Sequence, residues 1–373
     1  MKQYIDLLNR IIHEGVDIPA KDERTGAGCR SVFGHQLDFD ISGMKIPMVT
    51  TRKVPLKPFV HETLFFISGR TNISALKEAG VKIWDDWAVS KESVIDYVDG
   101  LVKNELIKPE GAPYILDNIL SNAVDEIGPM YGHLWRWWHT RSENIPTILV
   151  EKLDLADIPR DFMEGAKLAH EASLAAEQPD LPSFEDFVKI SYLSVVDQLG
   201  VLITGLKKDP YSRRHIVTAV DPALFPIPGV APNQQPLYER GSLAPCHTGF
   251  EIHVMPPVEG SNVKRLVLRF SMRSWDVPLG GPTNIAGYAL LAHLIAKEVG
   301  MEAVKLVVSA GNCHIYHNQL ELAKEQVQRN PMEQTTVVSI NTEDYSIFTV
   351  KPEDIVISGY DNYHDKIDYP INV

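Results

Sequence analysis

The sequence predicts an α+β fold. An amphipathic helix opens the chain, alternating strands dominate after residue 215, and an apolar helix separates two of those strands. In residues 1 to 15, Tyr4, Leu7, Leu8, Ile11 and Ile12 share one helical face. KDERTGAGCRSVFGHQLDFDI then reads as a polar loop running into a strand. Residues 56 to 69 (LKPFVHETLFFISG) suit a buried helix stopped by Gly69, and Ser74 to Gly80 suits a second, short one.

Two segments differ in texture. Residues 88–127 and 139–190 are rich in Glu, Asp, Lys and Ala and poor in Gly turn signals. MEGAKLAHEASLAAEQ combines strong helix formers with little apolar face. Both read as helical surface insertions within a single catalytic domain spanning 1–373. The second is expected to end in one amphipathic helix, VKISYLSVVDQLGVLITGLKKDP.

Beyond residue 215, VKRLVLRFSMRS alternates with period two. That places Leu266, Leu268, Phe270 and Met272 on one face, and Arg269, Ser271 and Arg273 on the other. Gly280-Gly281-Pro282 reads as a turn, with an apolar helix expected over 284–299 and Asn284 as its N-cap. AVKLVVS (303–309) reads as a strand leading into GNCHIYHNQ.

Composition narrows the function. A chain of 373 residues buries a large core without staples. A net charge of −13 gives no global attraction for nucleic acid or an anionic membrane, so an anionic ligand needs a local Arg cluster. Three cysteines (Cys29, Cys246 and Cys313) lack the paired spacing of disulfides or structural zinc, and no metal is expected. The first residues lack the apolar run of a signal peptide, and no window approaches a spanning helix. A cytoplasmic enzyme is the expectation.

Candidate chemistry gathers around APCHTGFEIHV and SMRSWDVPLGGPTNIAGYALL. Cys246 is either a small buried hydrophobe or a nucleophile; nearby arginines favour thiolate chemistry. Arg213 and Arg214 form either a solvated face or, with Arg24, Arg273 and Ser274, a phosphate clamp. Asn284 offers a donor and an acceptor to a base edge; uracil suits an amide, whereas cytosine suits a carboxylate. Glu62, among Phe59, Leu64, Phe65 and Phe66, is a candidate acid or base with a raised pKa.

Taken together, ERTGAGCRSVFGHQLDFDI, PMVTTRKVPLKPFVHETLFFISGRTNI, KIWDDWA, GPMYGHLWRWW, DPYSRRHIVTAV, LAPCHTGFEIHV, RSWDVPLGGPTNIAGYALLAHLIA, GNCHIYHNQ and YPINV resemble the thymidylate synthase family, which includes phage-type deoxypyrimidylate hydroxymethylases. The resemblance covers most of the chain outside the two insertions. It implies a large twisted mixed β-sheet packed with helices, and a sheet-to-sheet homodimer in which Arg213 and Arg214 reach the partner's site. Cys246 then resembles the nucleophile that adds to C6 of the pyrimidine. Glu62, Tyr131 and His247 resemble the proton-transfer network. His314 and Tyr316 resemble the ribose ligands, and Trp84, Trp87, Asp276, Leu279, Gly280, Thr283 and Val373 the folate site.

The resemblance also implies 5,10-methylenetetrahydrofolate as cofactor, a pyrimidine nucleoside monophosphate as substrate, and the cytosol of a bacterium or phage-infected host as location. No nucleic acid or membrane partner is required. The usual Gln-Arg-Ser is Met272-Arg273-Ser274 here, Trp275 replaces a smaller residue, and Gly281 and Thr283 replace bulkier ones. Those losses are expected to admit water, favouring hydroxymethylation of dUMP over reductive methylation to dTMP. Retained Trp84 and Val373 favour the latter. A cytidylate hydroxymethylase and a non-catalytic nucleotide- or RNA-binding homologue are further alternatives.

Overall fold

The computed structural model describes residues 1–22, 25–139, 154–158, 163, 167, 170 and 183–372. Its centre is a mixed six-stranded sheet. In spatial order it comprises β1 (Val16–Ile18), β2 (Cys29–Asp40), β8 (Glu302–Tyr316), β7 (Arg265–Asp276), β6 (His247–Met255) and β5 (Ile216–Thr218). Neighbours are antiparallel except β7 and β8, which are parallel. A parallel pair needs a crossover. Here it is the long helix α9 (Val277–Glu298).

The register explains the core. Val217, Phe250, Phe270, Val308 and Leu37 stand opposite one another across five strands, and all are buried. One residue along, Ile216, Glu251, Arg269, Val307 and Asp38 form a row on the other face. Arg269 pairs there with Glu251 at 2.6 Å, and Ile216 is 61 % exposed. The alternation read in β7 is therefore a true two-face strand. Its apolar side meets α9 and its polar side carries no helix of comparable packing.

The opening helix is α1 (Lys2–Glu14), and its five expected apolar residues are all buried. The helix α2 (Leu56–Ser68) packs on α9 and stops at Gly69, which adopts a left-handed conformation. The short α3 (Ser74–Glu78) follows. Helices α4 (Lys91–Lys103) and α5 (Ala112–Ala123) pack on each other around Val89, Val94 and Val98, a cluster separate from the main core. The short α6 (Gly132–Arg136) returns to the main core. Most of MEGAKLAHEASLAAEQ lies outside the described residues.

Three expectations need correction. The helix expected through 188–210 is two: α7 (Phe184–Leu193) and α8 (Gln198–Lys208). Between them, Val195–Val196 forms the strand β4 paired with β3 (Trp138–His139), and Asp197 restarts the helix by accepting from Gly200 N. β-Branched residues and a capping carboxylate break the helix that apolar periodicity suggested. Next, the strand expected over 303–309 runs on to Tyr316. Finally, Gly280-Gly281-Pro282 is helical. Asp276, not Asn284, is the N-cap of α9, and its carboxylate accepts from Leu279 N at 3.1 Å.

Pro282 inside α9 has no N–H to give Pro278 O. The Arg52 guanidinium supplies the missing donor, Nη2 to Pro278 O at 2.7 Å, and lies over the Tyr369 ring. The remaining elements are α10 (Leu320–Gln328) and the hairpin-like pair β9 (Val337–Ile340) and β10 (Ile355–Ser358). Among the described residues no helix is long and apolar enough to cross a membrane.

Replacing Arg52 by Met leaves that buried carbonyl unpaired and is expected to cost about 1–3 kcal/mol in denaturant unfolding. Adding Pro282→Ala, which restores the helical N–H, should recover part of the loss.

Candidate functional site

The functional side chains gather at one end of the sheet. Register places Met272 opposite His247, Ser274 beside Asn312 and Asp276 beside His314. The start of β6 and the ends of β7 and β8 therefore meet there. Cys246 immediately precedes β6 and is half-buried. Its N–H donates to Tyr131 Oη at 2.9 Å, and its carbonyl accepts from Arg273 N at 2.8 Å. The Arg273 side chain donates from Nε to Pro245 O at 2.8 Å and from Nη2 to Ala244 O at 2.6 Å. One guanidinium thus fixes the two residues before the cysteine and sets positive charge beside it.

A bulge between His247 and Gly249 offsets the strand just after Cys246. Gly249 has φ 151°, and a Cβ there would sit 2.4 Å from Val217 O, so only glycine fits. Across the pocket, a Cβ on Gly132 would lie 2.2 Å from Phe66 O; the bare glycine lets α6 press onto α2. Tyr131, just before it, holds φ 47° and ψ −109°, a conformation that costs a bulky residue about 1–3 kcal/mol. Its ring stacks on His247 at 4.0 Å.

A narrow pocket opens between α2 and α9, lined by Glu62, Thr63 and Phe66 on α2, Thr283, Asn284, Gly287, Tyr288 and Leu291 on α9, with Trp135 and His247. Burial sets the charge of its groups. The Glu62 carboxyl is pushed up to about 7 by desolvation, although Trp84 Nε1 donates to its Oε1 at 3.0 Å and opposes the shift. Desolvation drives the His247 imidazole down to about 3, so it is neutral at pH 7; its Nδ1 is 2.8 Å from Tyr288 Oη. Tyr131 is held well above the ordinary phenol range, again by burial first. Near pH 7 the His247 imidazole and the Tyr131 and Tyr288 phenols are therefore neutral, and the Glu62 carboxyl is poised to gain or lose a proton.

His314 and Tyr316 end β8, buried, their rings edge to face at 5.0 Å; His314 Nδ1 is 2.9 Å from Asn312 Oδ1. Ser274 is half-buried nearby. Trp84 and Trp87 stand edge to face at 5.8 Å, and Trp84 abuts Tyr131. Leu279, Gly280 and Thr283 lie in the opening turns of α9, where Thr283 Oγ1 donates to Gly280 O at 2.9 Å. Asp276 has structural bonds on both oxygens: Oδ1 takes Leu279 N and Oδ2 takes Gln319 Nε2 at 2.9 Å. Desolvation raises it to about 6 against the pull of those donors and of Arg52.

Arg213 and Arg214 are exposed, and the structure of one chain does not bring them to Cys246. Ile216 lies opposite Glu251, five residues along β6 from Cys246, about 16 Å at strand rise. Arg24 and Val373 lie outside the described residues.

Several pocket residues escaped the sequence reading. Gly287, Tyr288 and Leu291 follow Asn284 at helical spacings of three, four and seven, so one face of the helix expected over 284–299 already carried them. Trp135 and Gln319 carry no local signal at all. The expectation that Gly281 widens the folate pocket fails. A Cβ there would meet Tyr4 at 3.0 Å and Trp275 at 3.6 Å, so the Tyr4 ring, flanked by Trp275, already occupies the space beside the glycine. Thr283, by contrast, does line the pocket.

A folate would meet apolar and aromatic surface from Trp84, Trp87 and Leu279. Two buried polar atoms near it lack partners among the described residues: Asp85 Oδ1, beside Trp84 in sequence, and Trp135 Nε1, in the pocket wall. A flat heterocycle with both donor and acceptor edges suits one acceptor and one donor.

The thymidylate synthase family model matches residues 2–373. The chain is 30% identical, over 373 residues and the whole of both chains, to the thymidylate synthases of Francisella tularensis subsp. holarctica strains FTNF002-00 / FTA, OSU18 and LVS.

The raised Glu62 carboxyl gives a signed pH dependence. Its protonated form is favoured on folding, so its contribution is intact below the model-peptide value of 4.5 and fades as pH rises through about 7. Glu62→Gln should flatten the loss of stability across that window, measured by urea unfolding at several pH values. An unchanged slope would place the titrating group elsewhere.

Proposed function

The chain belongs to the thymidylate synthase family, and from that premise we propose that it methylates dUMP reductively at C5, giving dTMP. Family membership makes it a one-carbon transferase with 5,10-methylenetetrahydrofolate as cofactor. The observation carrying the C5 chemistry is the cysteine held by Tyr131 and Arg273 beside a pocket with an amide, a neutral imidazole and a carboxyl titrating near neutrality, and the methyl product follows the likeness to thymidylate synthases.

In this reading Cys246 Sγ bonds to C6 of the uracil, turning C5 into a nucleophilic enolate carbon. Asn284 pairs with the base edge. Glu62, steered by Trp84, moves protons at the base carbonyl side, and His247 and Tyr131 hold ordered solvent and the C5 proton's acceptor. Methylenetetrahydrofolate supplies the one-carbon unit and, for a methyl product, the hydride. Trp84, Trp87, Leu279 and Thr283 shape its seat and exclude water. His314 and Tyr316 take the ribose, and Arg273 and Ser274 the phosphate. Arg24, Arg213 and Arg214 complete that clamp, the pair arriving from a second subunit docked on the polar sheet face, and Val373 closes the site. The chain works as one catalytic unit in the cytosol, with 88–127 and 139–190 as insertions.

A second reading, hydroxymethylation of dUMP, has one observation in its favour: Thr283 puts a hydroxyl, not an aromatic ring, into the pocket wall.

Incubation with dUMP and the folate should yield dTMP with one dihydrofolate per turnover, followed by absorbance and mass; 5-hydroxymethyl-dUMP with tetrahydrofolate would establish the second reading instead. Cys246→Ala should lower turnover by about a thousandfold or more. Mixing Arg213→Ala with Cys246→Ala protein should restore roughly a quarter of wild-type activity, because half the dimers then hold one complete site. No recovery would remove the shared site.

A further inference from the structure

We infer that Trp275 is a specificity-determining residue that locks the Asn284 amide in one of its two settings, so that the pocket pairs with uracil and rejects cytosine; this rests on the dUMP reading above. Trp275 is the penultimate residue of β7 and is 1 % exposed, out of reach of competing water. Its indole Nε1 donates to Asn284 Oδ1 at 3.1 Å.

An Asn amide is nearly symmetric in shape and opposite in chemistry at its two ends. Uracil presents a carbonyl at C4 and a donor at N3. Cytosine presents an amino donor at C4 and an acceptor at N3. A half-turn of the terminal torsion exchanges oxygen for nitrogen and lets the same side chain pair with either base. An amide alone therefore discriminates poorly.

The indole removes that freedom. Indole N–H is a donor and never an acceptor, so the amide atom facing it must be the oxygen. A half-turn would set two donors against each other inside a dry wall. Oδ1 has two lone pairs: one takes Trp275, and the second stays available to the N3–H of uracil. Gly280 completes the seat, because a Cβ there would stand 3.1 Å from Asn284 Oδ1.

The test is the ratio of dCMP to dUMP dissociation constants, measured by calorimetry on the full chain. This ratio does not depend on the fraction of protein folded. Trp275→Phe keeps an aromatic ring and deletes the donor; the ratio should fall about tenfold. An Asn284→Asp background has no amide to turn, so adding Trp275→Phe there should change the ratio less than about twofold. A wild-type preference that survives Trp275→Phe, or an equal drop in both backgrounds, overturns the lock. A wild-type enzyme that binds neither nucleotide would remove the dUMP reading and the lock together.

Discussion

Asp276 stands where β7 stops and α9 starts, with no residue between them. Its carboxylate caps the helix through Leu279 N and takes Gln319 Nε2 on its other oxygen. Gln319, fully buried, also accepts from Tyr316 N and donates to Pro370 O. One carboxylate therefore ties together a strand end, a helix start, the end of β8 and the C-terminal segment. Because β7 and β8 are parallel and joined by α9, moving this junction would move Arg273, Asn284 and His314 together. The sheet supplies the rigid platform, and this hub sets where its working end lies.

The same end of the sheet separates charge by burial. The outer strand rows hold solvated pairs such as Arg269 with Glu251, while the pocket 's ionisable groups are desolvated. His247 is neutral by burial and Glu62 is held near neutrality, so the interior carries little fixed charge. Positive charge instead stands at the rim, on Arg273, with its guanidinium spent on backbone carbonyls. In the proposed reading an anionic substrate meets that charge at the edge while its ring enters an almost uncharged space.

Local periodicity revealed what depends on neighbours in sequence. The face of α1, the two faces of β7 and the stop at Gly69 all follow from spacing. Contacts between distant segments were opaque. Gly281 reads as a vacancy in the sequence, whereas packing sets the Tyr4 ring against it. The start of α9 was misplaced because Gly280, Gly281 and Pro282 signal a turn; Arg52, more than two hundred residues away, makes the helix tolerable there by serving Pro278 O. Tyr288 lies inside the helix expected over 284–299, one turn after Asn284, but nothing near it in sequence marks its contact with His247.

Tyr131 shows what such precision demands of the chain. Its main chain is twisted to φ 47°, where a large aromatic residue does not rest willingly. What holds it are the tight seam at Gly132, the stack on His247 and the bond from Cys246 N. If any of the three slackens, the loop can relax and the phenol swings away from Cys246. Thermodynamic comfort and chemical competence pull against each other at this residue, so sequence drift that makes the protein sturdier here would make it a poorer enzyme.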